Sequence, residues 1–124
     1  MKRLILILLI LILLVLSSPL AFGESDGNYL LGACSAAVRI ADGYHGSATD
    51  EIKAAYCVGV VHAVVFFQKE TVSFPEDAYG NPEQLQLTRV VDKYLHDHPE
   101  ELSKPDTYLV IVALGKAFPP KRGK

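Results

Sequence analysis

The feature that most constrains this chain is its start, where Lys2 and Arg3 are followed by an unbroken Leu/Ile/Val run from Leu4 to Leu16. As a helix that run reaches only about 20 Å, against roughly 30 Å of hydrocarbon in a bilayer. Ser17, Ser18 and Pro19 then break it, and Ala21-Phe22-Gly23 puts small residues where a signal peptidase reads. Residues 1–23 therefore read as a cleavable export signal rather than an anchor. Residues 24–124 follow as a single domain in the periplasm, with no stable membrane association after cleavage.

Export decides how the two cysteines, Cys34 and Cys57, are read. In an oxidising compartment pairing is the default. Closing that loop costs the unfolded chain about 3.5 kcal/mol of entropy as an upper figure, a large share of the stability of a domain this size. Two rivals are weaker. Leu31-Gly32-Ala33-Cys34 has the letters of a lipoprotein signal, but Glu24 to Asn28 separates it from the apolar run. A metal site built on Cys34, Cys57 and a histidine lacks a close-spaced ligand pair.

The whole chain carries 12 basic and 14 acidic residues; without Lys2 and Arg3 the mature balance is 10 − 14 = −4. A mildly acidic domain has no electrostatic reason to seek nucleic acid.

Hydrophobic spacing and capping residues predict an all-α bundle of about four helices with one disulfide. The first opens at Asp26 as N-cap, carries the stripe Tyr29, Leu30, Cys34, Ala37, Val38 and Ala41, and stops at Gly43. The second is capped by Thr49, or by Ser47 with Asp50, and is apolar nearly all round from Ala54 to Phe67. Such a helix is expected at the buried centre, and Gly59 with Ala63 would let another helix approach it closely. Thr71 to Gly80 reads as a loop. Asn81-Pro82-Glu83-Gln84 starts the third helix, whose stripe is Leu87, Val90, Val91, Tyr94 and Leu95 and whose end is Pro99. Ser103 is placed to cap a fourth, over the strongly apolar stretch from Tyr108 to Phe118, and Pro119-Pro120 stops it. Tyr108 to Val112 also has strand composition, but its flanking signals favour helix.

Catalytic chemistry is sparse. No G-x-S-x-G, H-E-x-x-H or glycine-rich phosphate loop occurs, and a cysteine nucleophile needs a free thiolate. His62 reads as a hydrogen-bonded core or edge histidine. His96-Asp97-His98 resembles a metal cluster, yet residues two apart on a helix point away from each other. The expectation is no enzyme, no catalytic residue, no metal and no cofactor.

The order of landmarks resembles the Rap/Tai immunity family, which protects bacteria against their own type VI-secreted peptidoglycan amidases. Gly27, Leu30 and Cys34 match a G-x-x-L-x-x-x-C start, and Cys57-Val58-Gly59 a C-x-G motif. Ser73-Phe74-Pro75-Glu76 meets C-x-P-E without its cysteine. Tyr94-Leu95 with His98-Pro99-Glu100 matches y-L-x-x-H-P-E, and Ala113-Leu114 with Ala117-Phe118-Pro119 matches A-L-x-x-A-F-P-C, where Pro120 replaces the last cysteine. Val60 stands in place of an aromatic and Ala63 in place of a glycine.

The resemblance implies a periplasmic all-α protein, often a homodimer, that binds the secreted amidase and blocks its cleft without catalytic groups of its own. Loss of both Ser73 and Pro120 cysteines leaves no orphan thiol and would loosen the Thr71–Gly80 loop and the C-terminus. The partner-binding residues expected are Phe74, Glu76, Asp77 and Tyr79, an aromatic-plus-acid set on that loop. The alternative from another class is a small periplasmic helical stress chaperone with one disulfide.

Overall fold

The structure is a computed structural model, describing residues 1–16, 25–74 and 81–122. The described residues form five α-helices: α1 (Lys2–Leu16), α2 (Gly27–Ala41), α3 (Ala48–Gln68), α4 (Asn81–Asp97) and α5 (Asp106–Ala117), with a 3₁₀ turn at Pro99–Glu101. There is no strand among the described residues; two isolated bridges, Asp26 with Pro105 and Val72 with Pro120, are the only extended pairings. The domain is all-α, and Tyr108 to Val112 is helical.

The predicted caps set where α2 and α3 begin. Asp26 accepts the Tyr29 N–H at 3.1 Å, and that bond holds its carboxyl below the usual aspartate range. Gly43 follows α2 at φ 94°, a left-handed conformation that L side chains resist, and donates its N–H to Ile40 at 3.0 Å. Of the two starts open for α3, Ser47 with Asp50 is used. Asp50 N–H donates to Ser47 Oγ at 3.2 Å, and Ser47 N–H donates to the Asp50 carboxylate at 3.0 Å. The capping residues expected for α4 have side chains outside the described residues.

The core draws on all four helices of the bundle. Leu30, Ala33 and Cys34 come from α2, Cys57, Val61, Val64 and Val65 from α3, Leu87, Val91, Tyr94 and Leu95 from α4, and Leu109, Val110, Ala113 and Leu114 from α5. Cys34 and Cys57 form a disulfide with Cα atoms 5.1 Å apart, so the covalent tie runs between α2 and α3 in the middle of the core.

Four expectations are corrected. The α2 stripe is rotated: Tyr29 and Ala41 are exposed, whereas Gly27, Ala33 and Ala36 are buried. Small residues face inward because α2 packs against α3, α4 and α5 at once. Secondly, α3 is not buried all round. Its inner face holds Cys57, Val61, Val64 and Val65, while Ile52, Ala55, Gly59, Ala63, Phe66 and Phe67 are exposed. Among the described residues no other helix approaches Gly59, around which a Cβ would meet nothing within 4 Å. Thirdly, His62 lies on that exposed side and not in the core. Fourthly, Ser103 does not cap α5, whose first turn is held from elsewhere. Asp106 N–H donates to Ser25 carbonyl at 3.0 Å, and Gly27 N–H donates to Lys104 carbonyl at 3.0 Å. The beginnings of α2 and α5 thus satisfy each other's free backbone groups.

Candidate functional site

The loop expected to carry partner contacts has a described base. Val72 bridges to Pro120, Ser73 N–H donates to Pro119 carbonyl at 2.9 Å, and Lys121 N–H donates to Thr71 carbonyl at 2.9 Å. Phe74 and Phe118 pack with ring centroids 5.6 Å apart, and both lie half-buried against the core. The C-terminal segment therefore runs beside the start of the loop. Of the expected partner-binding residues, Phe74 sits in this base, while Glu76, Asp77 and Tyr79 lie outside the described residues.

A second polar cluster lies where α4, the 3₁₀ turn and α5 meet, over the stretch that carries y-L-x-x-H-P-E. Tyr94 is buried and donates its hydroxyl to Glu101 at 2.7 Å. The same oxygen accepts from Lys116 at 3.2 Å, whose ammonium also sits 4.9 Å from the Tyr94 ring centroid. Burial raises the Tyr94 phenol, and its bond to Glu101 raises it further. The same bond holds the Glu101 carboxyl down. His98 stacks on Tyr94 at 4.3 Å and reaches Glu100 at 3.0 Å. Every group of this cluster is occupied by a neighbour, which suits a brace rather than a reactive centre.

His96, Asp97 and His98 are not brought together. His96 contacts the Asp92 carbonyl at 2.9 Å, Asp97 pairs with Lys93 at 2.7 Å, and His98 turns to Tyr94 and Glu100. Among the described residues no group of three or more His, Cys, Asp or Glu could hold a metal. The other buried polar knot is Asp106, which accepts the Tyr56 hydroxyl, with Tyr29 edge-on to Tyr56 at 5.1 Å. Burial, then the bond to Asp106, raises the Tyr56 phenol. Sequence reasoning missed the Tyr56–Asp106 knot because its partners are fifty residues apart, and the Tyr94 knot because its tyrosine lies in an apolar stripe and looks like core.

What remains open to a partner is surface: the loop base with its aromatic pair, and the apolar outer side of α3. Exposed contiguous apolar area of this kind marks interaction sites on small proteins. These features define a small disulfide-braced helical bundle. The chain belongs to the Rap1a immunity protein family, whose model matches residues 26–120. No curated protein and no solved structure gives a significant match.

Proposed function

We propose that the chain is an exported immunity protein that binds and silences a type VI-secreted peptidoglycan amidase in the periplasm. The observation that carries this reading is the immunity-family match over residues 26–120, nearly all of the domain. The amidase as target comes from the ordered landmarks between Gly27 and Pro119, which resemble the Rap/Tai pattern. Periplasmic action rests on the charged, apolar start and is supported by the Cys34–Cys57 disulfide, a bond that persists in oxidising compartments. No helix among the described residues is long and apolar enough to cross a membrane.

Inhibition needs surface complementarity and a few dominant anchors, not catalytic groups. The Thr71–Gly80 loop, its base clamped by the C-terminal segment, is the element assigned to the amidase cleft. The reading carries two protein partners, the effector and a second copy of this chain. The test is to express a candidate type VI-secreted amidase in the periplasm, with and without the protein. Lysis should be suppressed by co-expression, and calorimetry should detect a complex. Equal lysis in both cultures with no complex would reject the effector reading.

A further inference from the structure

The outer side of α3 is laid out symmetrically about one residue. Ile52, Ala55, Gly59, Ala63 and Phe66 fall at steps of three and four, so they share one face of the helix, and all five are exposed. Ile52 stands seven residues before Gly59 and Phe66 seven after it; Ala55 and Ala63 stand four before and four after. Read outward from Gly59, each direction gives alanine, then a large apolar side chain. The inner residues Cys57, Val61, Val64 and Val65 lie on the opposite side, so this face is turned away from the bundle.

Exposure here is large. Ile52 is 69% exposed, Phe66 53% and the adjoining Phe67 81%. Among the described residues, nothing beyond its chain neighbours and its own helix backbone comes within 4 Å of a Cβ built on Gly59, so no close approach by another described element calls for that glycine. A glycine in a helix interior costs about 1 kcal/mol relative to alanine. The chain bears that cost on a surface that gains nothing from it alone.

The geometry points to a homodimer in which two α3 helices cross antiparallel on a two-fold axis at Gly59. This rests on the self-association in the functional reading above and gives it a surface. A two-fold interface must be self-complementary, and a face symmetric about its centre meets that condition. Rotation about Gly59 sets Ile52 against Phe66 of the second copy and Ala55 against Ala63. The flat centre lets the backbones approach, and the large residues at both ends fill the space where the helices diverge.

Charge supports the same direction. Glu51, exposed at the start of α3, and Lys69, whose ammonium lies 4.5 Å from the Phe66 ring centroid, project from one flank because they are eighteen residues apart, five helical turns. Antiparallel pairing brings each Glu51 to the level of the other copy's Lys69, about 3 Å apart along the axis. Parallel pairing would carry that flank to the opposite side of the second copy and leave Glu51 and Lys69 without these partners. A second copy crossing antiparallel therefore fits better than one crossing parallel.

The experiment uses residues 24–124 from the periplasm. Mass by light scattering over a dilution series should give a dimer, and Gly59→Leu should weaken dimerisation at least tenfold. The same substitution should leave the melting temperature of the monomer equal or higher, because leucine favours helix and the site is open. Gly59→Cys should form a dimer-linking disulfide on mild oxidation, whereas Lys93→Cys on α4 should not. Glu51→Lys should weaken the dimer and Glu51→Lys with Lys69→Glu should restore it. A monomer at every concentration overturns self-association itself. A dimer unchanged by Gly59→Leu, or one that Gly59→Cys does not link, overturns the α3 surface while leaving self-association standing. Neither outcome touches the lysis assay, which judges the effector reading alone.

Discussion

Ser73 donates its backbone N–H to the carbonyl of Pro119 at 2.9 Å, one residue from the Val72–Pro120 bridge. The two positions where the family resemblance places a second cysteine pair are thus neighbours across a short antiparallel contact. Loss of the cysteines was expected to leave the loop and the C-terminus untied. Between residues 71–74 and 118–121 the tie is instead made by three features, the backbone hydrogen bonds, the bridge and the Phe74–Phe118 ring contact.

Ser73→Cys with Pro120→Cys should therefore form a disulfide without rearranging the bundle. The loop closed spans 120 − 73 = 47 residues, for which chain entropy sets an upper limit of about 4 kcal/mol. A gain of about 2–3 kcal/mol in urea unfolding is expected. Two free thiols in the denatured, unreduced double variant would show that the pair is misplaced.

Reduction of Cys34–Cys57 should act in the opposite sense. The bond closes a separation of 23 residues, and breaking it should cost about 2–4 kcal/mol. Thiol titration of denatured, unreduced protein should find none free. Two reactive thiols would contradict the bond.

Gly27 is confined in a way that no spacing argument reveals. A Cβ there would lie 2.9 Å from the Leu102 backbone and collide with the Leu109 side chain, where the beginnings of α2 and α5 are joined. Gly27→Ala should destabilise by about 2–3 kcal/mol, the range for overpacking a rigid core, despite the higher helix propensity of alanine. An unchanged denaturation midpoint would mean that this junction yields.

Gly27 also marks where sequence reading ends. Asp26, Ser47–Asp50 and Gly43 were legible because a cap is a local arrangement of one side chain and nearby backbone N–H groups. The α4 stripe and the disulfide were legible from period and compartment. Ser103 misled because α5 takes its first backbone bond from Ser25, about eighty residues earlier, which no local signal encodes. The outer face of α3 misled differently: apolar periodicity reports that a side is hidden from water and not whether this chain hides it. Tyr94, Glu101 and Lys116 escaped notice because a tyrosine in an apolar stripe looks like core until its hydroxyl is traced.

Tyr94→Phe should separate that hydroxyl from the ring. It removes a donor to Glu101 and an acceptor for Lys116, at about 1 kcal/mol for a buried bond. Glu101 is held below its reference value of 4.5, first by this bond. Its contribution is therefore present above that reference value and lost as pH falls through the depressed folded value. The phenol of Tyr94 is raised above 10.0, so its contribution is present below that value and lost as pH rises through the raised one. Stability of the wild type should fall at both ends, and Tyr94→Phe should flatten both limbs. Parallel profiles for the two proteins would show that Glu101 draws its shift from elsewhere.

The last prediction concerns the loop and the effector. Protection must compete with abundant cell wall, so nanomolar affinity or better is required, at least about 12 kcal/mol, across an interface of roughly 800 Å² per partner. Interfaces of that size concentrate their energy in a few anchors, commonly aromatic. Tyr79→Ala should thus weaken amidase binding at least about thirtyfold, or 2 kcal/mol, while the helical circular dichroism spectrum and melting temperature hold. Phe74→Ala should weaken binding and lower stability together, because Phe74 also packs on Phe118 at the loop base. Glu76→Gln with Asp77→Asn should slow association in a salt-dependent manner if these acids steer the encounter. Lys93→Ala on α4, whose ammonium pairs within its own helix with Asp97 at 2.7 Å, should change neither. Calorimetry with the purified amidase reads the affinities, and rapid-mixing kinetics over a salt series reads the association rate. Equal affinity for wild type, Phe74→Ala and Tyr79→Ala would move the inhibitory contact off this loop, and an effect confined to Lys93→Ala would move it to α4.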